Sequence, residues 1–334
     1  MIPRIETNWQ THSWQIALAK GIKTPAELLN LLGLPLSLLK NSEEAHRQFP
    51  TRVPLSFVQR MKPGDPTDPL LLQVLPNSEE MKNIKDYIVD PVGDLAAQVV
   101  PGLLHKYHGR ALLVATGACG IHCRYCFRRH FPYTQNNPLT ENWRQIYAYL
   151  SNDTSIREII LSGGDPLSLS DDKLATLIHQ LETIKHLRVL RIHTRLPIVL
   201  PQRVSEPLLD ILSKTRFITS VVVHVNHANE IDQQVMSALK KIKQSGALLL
   251  NQSVLLRGIN NNAEVLSDLS YRLLEAGVLP YYLHLLDQVE GSAHFYCTAQ
   301  SAALILESLR RMLPGYLVPR LVQEIAGNPY KTPR

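Results

Sequence analysis

The chain has 334 residues, of which 45% are hydrophobic and 19% are charged, an ordinary composition for a soluble enzyme with a large core. It contains no run of about 18 apolar residues, so we expect no membrane-spanning helix, and its four cysteines do not form a disulfide framework. The net charge of +6 is spread along the chain, whereas a nucleic-acid duplex requires a continuous basic stripe. The N-terminus lacks the apolar segment of a signal peptide, so we predict a cytoplasmic, reducing location.

The first hundred residues predict a mainly helical covering region. Thr24, Pro25 and Glu27 form a helix start, with Thr24 as the N-cap, proline at the first helical position and Glu27 completing a capping box. Residues 63–76 are rich in proline and aspartate and predict irregular structure. We assign residues 1–100 to this region, residues 101–290 to a core, and residues 291–334 to a C-terminal helix and a short ligand-binding segment.

From Arg110 onward, apolar segments alternate with amphipathic segments about every thirty residues. The predicted strands are Ala111–Thr116, Glu158–Ser162, Val189–Thr194, Ser220–Val225, Leu248–Leu255 and Pro280–Leu286. The predicted helices between them include Asp171–Leu181, Glu230–Lys243 and Ala263–Ala276. Apolar strands that alternate with helices are typical of parallel strands covered on both faces. The sequence therefore predicts an α/β fold of six βα units, either a doubly wound sheet or a partial TIM-like barrel.

Three cysteines follow the first predicted strand at the spacing C-x3-C-x2-C: Cys119, Cys123 and Cys126. Three thiolates are one fewer than a cubane [4Fe–4S] cluster needs, so one iron stays open to an outside ligand. The amino and carboxylate groups of S-adenosylmethionine (SAM) suit that open iron. An electron passed from the cluster then splits the sulfonium and yields a 5′-deoxyadenosyl radical. The spacing therefore indicates radical SAM chemistry, which begins with abstraction of a hydrogen atom.

Two other interpretations of these cysteines remain open. With His122 or His130 they form a Cys₃His set suited to a closed zinc site. Zinc sites, however, usually combine two ligand pairs, and the remaining cysteine, Cys297, is isolated. The other interpretation is that the cysteines are unligated core residues.

Polar residues stand at the C-terminal end of every predicted strand, where the loops of a βα barrel carry function. Besides the cysteines, these residues are Gly163, Gly164, Asp165, His193, His224 to Asn226, Gln252, and His284 to Asp287. Each one alone has a structural interpretation, as a hydrogen-bonded histidine or a turn. Six strands that share this property favour the barrel. The paired glycine also lets the backbone approach a ligand closely, and the SAM amino group is the natural ligand here.

From about Val100 to the C-terminus, the chain resembles the lysine 2,3-aminomutase family of radical SAM enzymes. The resemblance is carried by segments in family order: 101–110, 119–129, 162–166, 226–230, 251–257, 281–287, 291–295, 317–320 and 327–333. It implies a partial (βα)6 barrel of the radical SAM type. It also implies three cofactors, which are the [4Fe–4S] cluster, SAM and pyridoxal 5′-phosphate (PLP), and the interconversion of α-lysine and β-lysine.

The resemblance also implies roles for individual residues. Lys331 would be the catalytic lysine that binds PLP covalently, which makes residues 291–334 the PLP-binding segment. Arg128 would bind the substrate carboxylate through a bidentate contact, and Asp287 and Glu324 would bind its ε-ammonium. The remaining implied cofactor-binding residues are Lys106, Tyr107 and Arg110 for PLP, and Ser162, Gly163, Gly164, Asp165, His224 and Gln252 for SAM.

Several positions depart from the family enzymes that act on free lysine. The PLP loop reads Gly327-Asn-Pro-Tyr-Lys331 in place of a glycine run, Glu324 stands where those enzymes have Asp, and His284 stands where Tyr is expected. The chain also ends at Arg334, without the C-terminal extension used there for assembly. These features resemble the branch that supplies (R)-β-lysine for modifying translation elongation factor P. The implied partners are lysine, elongation factor P with its lysine ligase, and an electron donor such as flavodoxin or ferredoxin.

Other functions remain open at this point. One is an aminomutase of the same architecture that acts on glutamate, on arginine or on a protein-bound lysine. Asp287 and Glu324 argue against glutamate, because two acids repel its side-chain carboxylate. Another is a scaffold that binds PLP or SAM without turnover. The last is a zinc-stabilised nucleic-acid-binding protein, which only the positive charge favours.

Overall fold

The computed structural model describes residues 9–136 and 142–334. The prediction that the N-terminus lacks a signal peptide concerns residues 1–8 in part, which lie outside the described residues. The helices are α1 (Trp9–Ala19), α2 (Pro25–Leu31), α3 (Glu43–Gln48), α4 (Leu55–Val58), α5 (Trp143–Asn152), α6 (Asp171–Glu182), α7 (Leu196–Val199), α8 (Glu206–Lys214), α9 (Gln233–Gln244), α10 (Ala263–Glu275) and α11 (Ala299–Met312). The strands are β1 (Gln98–Val100), β2 (Leu103–Tyr107), β3 (Arg110–Thr116), β4 (Glu158–Gly163), β5 (Val189–Thr194), β6 (Ile218–His224), β7 (Leu248–Val254), β8 (Leu279–His284), β9 (Arg320–Gln323) and β10 (Thr332–Pro333).

These strands form one sheet whose order follows the chain from β1 to β10. Neighbouring strands from β3 to β9 are parallel. At the two edges, β1, β2 and β10 pair antiparallel with their neighbours. A run of parallel βα units that ends at two edges is a barrel left open. The predicted α/β partial barrel is therefore confirmed.

The six predicted strands are β3 to β8, and the structure adds a further parallel strand beside β8. This strand, β9, places Arg320 opposite Tyr282 and Val322 opposite His284. It has four residues and lies in the segment where we predicted a helix and a ligand-binding loop. A strand this short has no periodicity from which it can be predicted, and its partner strand is what defines it.

The helices between the strands begin at capping side chains. Ser170, Asp232 and Asn262 each accept a hydrogen bond from the backbone N–H three residues later, at the starts of α6, α9 and α10. The apolar residues of these helices are buried in the main core. The three predicted helices are thus confirmed, except that Glu230 belongs to a 3₁₀ turn that precedes α9.

The N-terminal region covers the barrel with short helices and turns. Thr24 caps α2 as predicted, with Glu27 N donating to Thr24 Oγ1 at 3.2 Å. The predicted capping box is wrong in its second half, because Glu27 Oε2 accepts from Lys23 N (3.5 Å) and not from the cap residue itself. The division into residues 1–100, 101–290 and 291–334 stays a prediction.

Burial alternates along β5. Leu190, Ile192 and Thr194 are buried whereas Arg191 and His193 are half-buried, so these two groups of side chains point to opposite faces of the sheet. Leu190 and Ile192 belong to the main apolar core. None of the helices within the described residues combines the length and the hydropathy needed to cross a lipid bilayer.

Candidate active site

The three cysteines lie in the loop that follows β3. Cys126 N donates to the Cys123 carbonyl oxygen (3.0 Å), so these two cysteines share a turn. Burial, and then the neighbouring Cys126 thiol, raises the pKa of Cys119. Burial and Cys123 likewise raise the pKa of Cys126 to about 11. Cys119 and Cys126 thus become thiolates more readily beside a positive partner.

The three thiols suit a cubane iron–sulfur cluster by their number, because such a cluster takes each thiolate on a different iron and keeps one iron open. Across 9–136 and 142–334, no three His, Cys, Asp or Glu side chains are arranged to hold one ion. The candidate zinc histidines each have a protein partner on one ring nitrogen, since His122 Nδ1 lies 2.7 Å from the Pro50 carbonyl oxygen and His130 hydrogen-bonds the Glu290 backbone.

The paired glycine after β4 packs against the cysteine loop. A Cβ on Gly164 would lie 2.4 Å from the Ala118 carbonyl oxygen, and one on Gly163 would lie 2.6 Å from the Thr116 carbonyl oxygen. Gly163 also has a φ of +117°, which side chains disfavour. Both glycines therefore let the backbone of the cysteine loop approach closely, and their role in binding SAM stays a prediction.

Asp165 ties the loops after β4 and β5 together. Its buried carboxylate accepts hydrogen bonds from Thr194 Oγ1 (2.7 Å), Arg195 N (2.7 Å), Leu196 N (3.0 Å) and Leu167 N (3.0 Å). Its own N–H donates to the Ala118 carbonyl oxygen at 2.8 Å. Asp165 therefore supports the cysteine loop, and a role in binding SAM stays a prediction.

An arginine that sequence reasoning did not select contacts one of the cysteines. Arg195 Nη1 donates to Cys123 Sγ (2.6 Å) and to the Tyr125 hydroxyl (2.7 Å). We call Gln73, Tyr125, Arg195, Asn226 and Glu230 the cysteine-side network, because hydrogen bonds join all five. The signal for Arg195 was its place directly after the polar end of a predicted strand.

Arg128 lies on the inner side of the same loop and is held by a second arginine–carboxylate pair. Arg128 Nε donates to Asp94 Oδ2 (2.6 Å) and Nη1 donates to Ser162 Oγ (2.9 Å). Burial alone lowers the pKa of Arg128, but the Asp94 carboxylate outweighs it and raises that pKa above its ordinary value. Ser162, predicted to bind SAM, therefore also orients the predicted carboxylate-binding arginine. Asp94 was missed because it lies in a turn without periodicity.

Asp94 continues the chain of charges to the C-terminal lysine. Lys106 Nζ lies 2.6 Å from Asp94 Oδ1 and 2.9 Å from Glu324 Oε1. Glu324 Oε2 in turn accepts a hydrogen bond from Lys331 Nζ. We call Asp94, Lys106, Arg128, Glu324 and Lys331 the lysine-side network. It joins residues up to 237 positions apart in sequence, from Asp94 to Lys331.

Asp287 lies beside the lysine-side network, and one of its carboxyl oxygens accepts no hydrogen bond from the described residues. Among the described residues, no donor reaches its buried Oδ1. Burial, and then the Glu324 carboxylate, raises the pKa of Asp287 to about 7, although Lys331 and Lys106 lower it in part. An orphaned carboxyl oxygen beside other charges fits a cationic ligand.

Two histidines line the same space and are neutral. Burial, followed by the nearby cations Arg191 and Lys331, lowers the pKa of His193 well below its usual range. Burial and then Lys331 lower the pKa of His284 in the same way. His193 Nε2 has no hydrogen-bond partner in the part of the chain that the structure describes.

The residues predicted to bind PLP adjoin Lys331 through Glu324. Burial, and then Glu324, raises the pKa of the Tyr107 hydroxyl, which hydrogen-bonds that carboxylate. The Arg110 guanidinium stacks on the Tyr107 ring, 4.7 Å from its centroid. Arg110 takes part in no salt bridge within 9–136 and 142–334. A half-buried lysine amine that Glu324 joins to Lys106 and to the Tyr107 hydroxyl fits PLP.

His224, the last residue of β6, lies in register with Gln252 of the adjacent strand β7. The Tyr125 hydroxyl lies 3.4 Å from His224 Nε2, and their ring centroids are 5.8 Å apart. Burial, and then Arg195, lowers the pKa of His224 to about 3, so the ring is neutral. His224 therefore lies beside the cysteine-side network, and the roles of both residues in binding SAM stay predictions.

Comparisons with known proteins agree with this geometry. Residues 113–269 match the Radical SAM superfamily. The L-lysine 2,3-aminomutase of Escherichia coli (strain K12) is 46% identical over 321 residues, which are 96% of this chain and 94% of that protein. The Haemophilus influenzae L-lysine 2,3-aminomutase is 44% identical over 332 residues (99% and 98%), and that of Clostridium subterminale is 32% identical over 329 residues (98% and 78%). The chain therefore belongs to the lysine 2,3-aminomutase family of radical SAM isomerases.

Proposed function

We propose that the chain is a PLP-dependent lysine 2,3-aminomutase that converts (S)-α-lysine to (R)-β-lysine. The observation that carries this proposal is the lysine-side network with the orphaned Asp287 oxygen beside it. The network provides an amine for PLP, a guanidinium for a carboxylate, and acids for an ammonium group. An α-amino acid with a cationic side chain presents the complementary charges.

Membership of the radical SAM superfamily implies a [4Fe–4S] cluster and SAM, which Cys119, Cys123 and Cys126 would hold with His224 and Gln252 nearby. When bound, these groups supply the radical that abstracts hydrogen, and PLP supplies the carrier for the migrating nitrogen. The protein contributes binding, orientation and exclusion of water.

Arg128 binds the substrate carboxylate in this proposal. Its Nε and Nη1 are fixed by Asp94 and Ser162, so the direction of the guanidinium is set before substrate arrives. A guanidinium that is already oriented loses little entropy when it binds a carboxylate. By holding the substrate carboxylate, Arg128 would also set how far the α- and β-carbons of lysine lie from the cysteine loop.

Glu324 and Asp287 bind the substrate ε-ammonium. In the structure Glu324 pairs with Lys331 through Oε2 and with Lys106 through Oε1. If Lys331 held PLP, Glu324 Oε2 would be free to pair with the ammonium of the substrate side chain. The neutral His193 and His284 line the same space without repelling that ammonium. The acceptor oxygens of Glu324 and Asp287 and the absence of charge on the two histidines together favour lysine bound with its side chain toward Asp287.

The finer assignments rest on the sequence resemblance. Glu324, His284 and the Gly327 to Lys331 loop support a role in supplying β-lysine for elongation factor P and its lysine ligase. A flavodoxin or a ferredoxin is the proposed electron donor, and the cytoplasm is the proposed compartment. The remaining site assignments, from Lys106 to Gln252, are proposals of the same kind.

An anaerobic turnover assay tests the proposed function. The full chain is reconstituted with iron, sulfide and PLP, and then receives SAM, dithionite and L-α-lysine. We expect (R)-β-lysine, identified by chromatography with mass detection, and none when SAM is omitted. L-glutamate and L-arginine at the same concentration serve as comparison substrates. If either one is converted to its β-amino isomer and lysine is not, the substrate is that amino acid and not lysine.

Two further outcomes have definite meanings. If cluster and PLP are bound and no free amino acid reacts, the substrate moves to a protein-bound lysine, and α-lysyl elongation factor P is assayed next. A colourless chain that binds zinc without sulfide contradicts the proposal and supports the nucleic-acid-binding alternative.

A further inference from the structure

The side chain of Arg195 is enclosed on one side by Cys123 and on the other by a buried carboxylate. Nη1 donates to Cys123 Sγ at 2.6 Å and to the Tyr125 hydroxyl at 2.7 Å. Nη2 donates to Gln73 Oε1 at 2.6 Å and to Glu230 Oε2 at 2.9 Å. All four terminal N–H groups are thus directed at protein acceptors, one of which is a cluster ligand.

Glu230, which accepts a hydrogen bond from Arg195, has several hydrogen-bond donors of its own. Its carboxylate is fully buried, and Oε1 accepts from Asn226 N (2.9 Å), His227 N (3.1 Å) and Gln73 Nε2 (3.1 Å). Asn226 to Glu230 is one of the segments that carry the family resemblance. In the structure this segment supplies the Glu230 carboxylate that accepts a hydrogen bond from the Arg195 guanidinium.

The backbone of Arg195 is fixed as well. Its N–H donates to Asp165 Oδ2 at 2.7 Å, and Asp165 N donates to the Ala118 carbonyl oxygen of the cysteine loop at 2.8 Å. The guanidinium and the loop therefore keep one relative position. A charge-assisted donor held this way acts on Cys123 without reorganising.

We propose that Arg195 is a positioning residue that donates a charge-assisted hydrogen bond to the Cys123 thiolate and thereby raises the reduction potential of the iron–sulfur cluster. The inference rests on the proposed function only in that Cys119, Cys123 and Cys126 hold that cluster. It assigns to Arg195 a control over how readily the cluster accepts the electron that starts the reaction.

The physical reason is the change of charge on reduction. One electron from a low-potential donor converts [4Fe–4S]²⁺ to [4Fe–4S]⁺, and no bond forms or breaks and no proton moves. The cluster with its thiolates gains one negative charge. A fixed cation in hydrogen-bond contact with a ligand sulfur stabilises the reduced form more than the oxidised form.

The competing explanation is that Arg195 only neutralises the buried Glu230. The double variant Arg195→Gln/Glu230→Gln separates the two roles, because it removes both charges and leaves no unpaired buried ion. The matched control is Arg203→Gln/Asp171→Asn, another buried arginine–carboxylate pair (2.8 Å), which lies between α6 and the turn after α7. Arg195→Lys is a further variant that keeps the charge but cannot reach both Cys123 and Glu230 with a planar fork.

The experiment is an anaerobic redox titration of the reconstituted full chain, with the reduced cluster followed by its electron paramagnetic resonance signal. We expect wild type and the Arg203 control to share one midpoint potential. The Arg195→Gln/Glu230→Gln potential should be more negative, with Arg195→Lys between the two. Iron and sulfide per chain are measured in each sample.

Equal potentials in wild type, Arg195→Lys and the double variant, at equal iron content, overturn the inference and leave the proposed function intact. If the double variant holds no cluster, Arg195→Lys decides, and a wild-type potential there overturns the inference. A wild-type chain that assembles no cluster overturns the inference and the proposed function together.

Discussion

The cysteine-side and lysine-side networks of this barrel differ in the buried polar atoms that are left without a partner. In the first, the terminal nitrogens of Arg195, the Tyr125 hydroxyl and both Glu230 oxygens have protein partners at 2.6 to 3.2 Å, and Arg195 Nε is the one orphaned member atom among the described residues. Beside the second, Asp287 Oδ1 and His193 Nε2 have no partner among the described residues. We call the cysteine-side network closed and the lysine-side network, with these two neighbours, open.

The difference reflects what each network has to hold. A buried network whose hydrogen bonds are nearly all made within the protein is rigid and fixes one geometry, which suits a permanent group such as a metal cluster. A network with orphaned buried groups is costly until a ligand completes it. The lysine-side network and its neighbours are therefore stabilised when a charged substrate binds. Variants in each of the two networks test this contrast.

The largest expected effect comes from Lys331→Ala in the open network. Loss of the amine removes covalent attachment of PLP, and we expect kcat to fall on the order of 10³-fold or more. The cluster absorbance should persist. The visible absorbance of protein-bound PLP is the measurement.

Lys331→Arg is the matched control, because it keeps a cation beside Glu324 but offers no primary amine. It should lose covalent PLP as completely as the alanine variant does. Borohydride reduction that still fixes PLP to either variant would show that another lysine carries it.

Asp287→Asn should act on substrate and not on the fold. The variant removes the partner of the substrate ammonium in a buried site, so we expect the KM for lysine to rise about 100-fold, or roughly 3 kcal/mol. The free energy of unfolding without ligands should be equal or higher, because a desolvated carboxyl is replaced by a neutral amide. Steady-state kinetics and denaturant unfolding measure the two quantities, and a fall in stability would contradict the open-network interpretation.

Lysine binding should strengthen as pH rises toward the pKa of Asp287. Below about 7 this carboxyl is protonated and cannot pair with the ammonium, so affinity should change by up to about tenfold per pH unit and level off above it. Asp287→Asn should abolish this dependence in a binding titration. The folded pKa lies above the ordinary 3.8, so the unloaded protein should also lose stability as pH rises between these two values.

Tyr125→Phe gives the smallest expected effect on lysine binding and tests the closed network. It removes a hydroxyl that Arg195 and Asn226 contact at 2.7 Å, so we expect a loss of about 1–3 kcal/mol in the free energy of unfolding. Tyr147→Phe is the control, since its hydroxyl meets Thr183 at the surface and should cost less than about 0.5 kcal/mol. A KM for lysine that moves as far as in Asp287→Asn would mean that the two networks are not separate.

Much of the architecture was predictable because it rests on local patterns. The strands β3 to β8 are apolar segments bounded by helix caps such as Ser170 and Asp232, and their order along the chain is their order in the sheet. The cysteine spacing indicated the cluster because three thiolates at short separation suit one group. β9 and β10 were not predicted, because strands of four and two residues depend on their partners.

The candidate site was predictable only in part. The resemblance supplied Arg128, Glu324 and Lys331. Asp94, which joins Arg128 to Lys106, carries no local pattern, and the one signal for Arg195 was its place directly after a predicted strand. The approach of Gly163 and Gly164 to SAM stays a prediction, and only the structure shows that they also accommodate the backbone of the cysteine loop. Such contacts join segments far apart in the chain and exist only once the barrel has formed.

The sequence by itself determined the alternation of strands and helices, the three-cysteine loop and the family. These follow from periodicity, spacing and motifs within some thirty residues. The tertiary structure alone decided which charges pair, because Arg195 meets Cys123 across 72 positions and Lys106 meets Glu324 across 218. Burial then sets the pKa of each group by the neighbours that folding brings to it. The division into a closed and an open network is therefore a property of the fold.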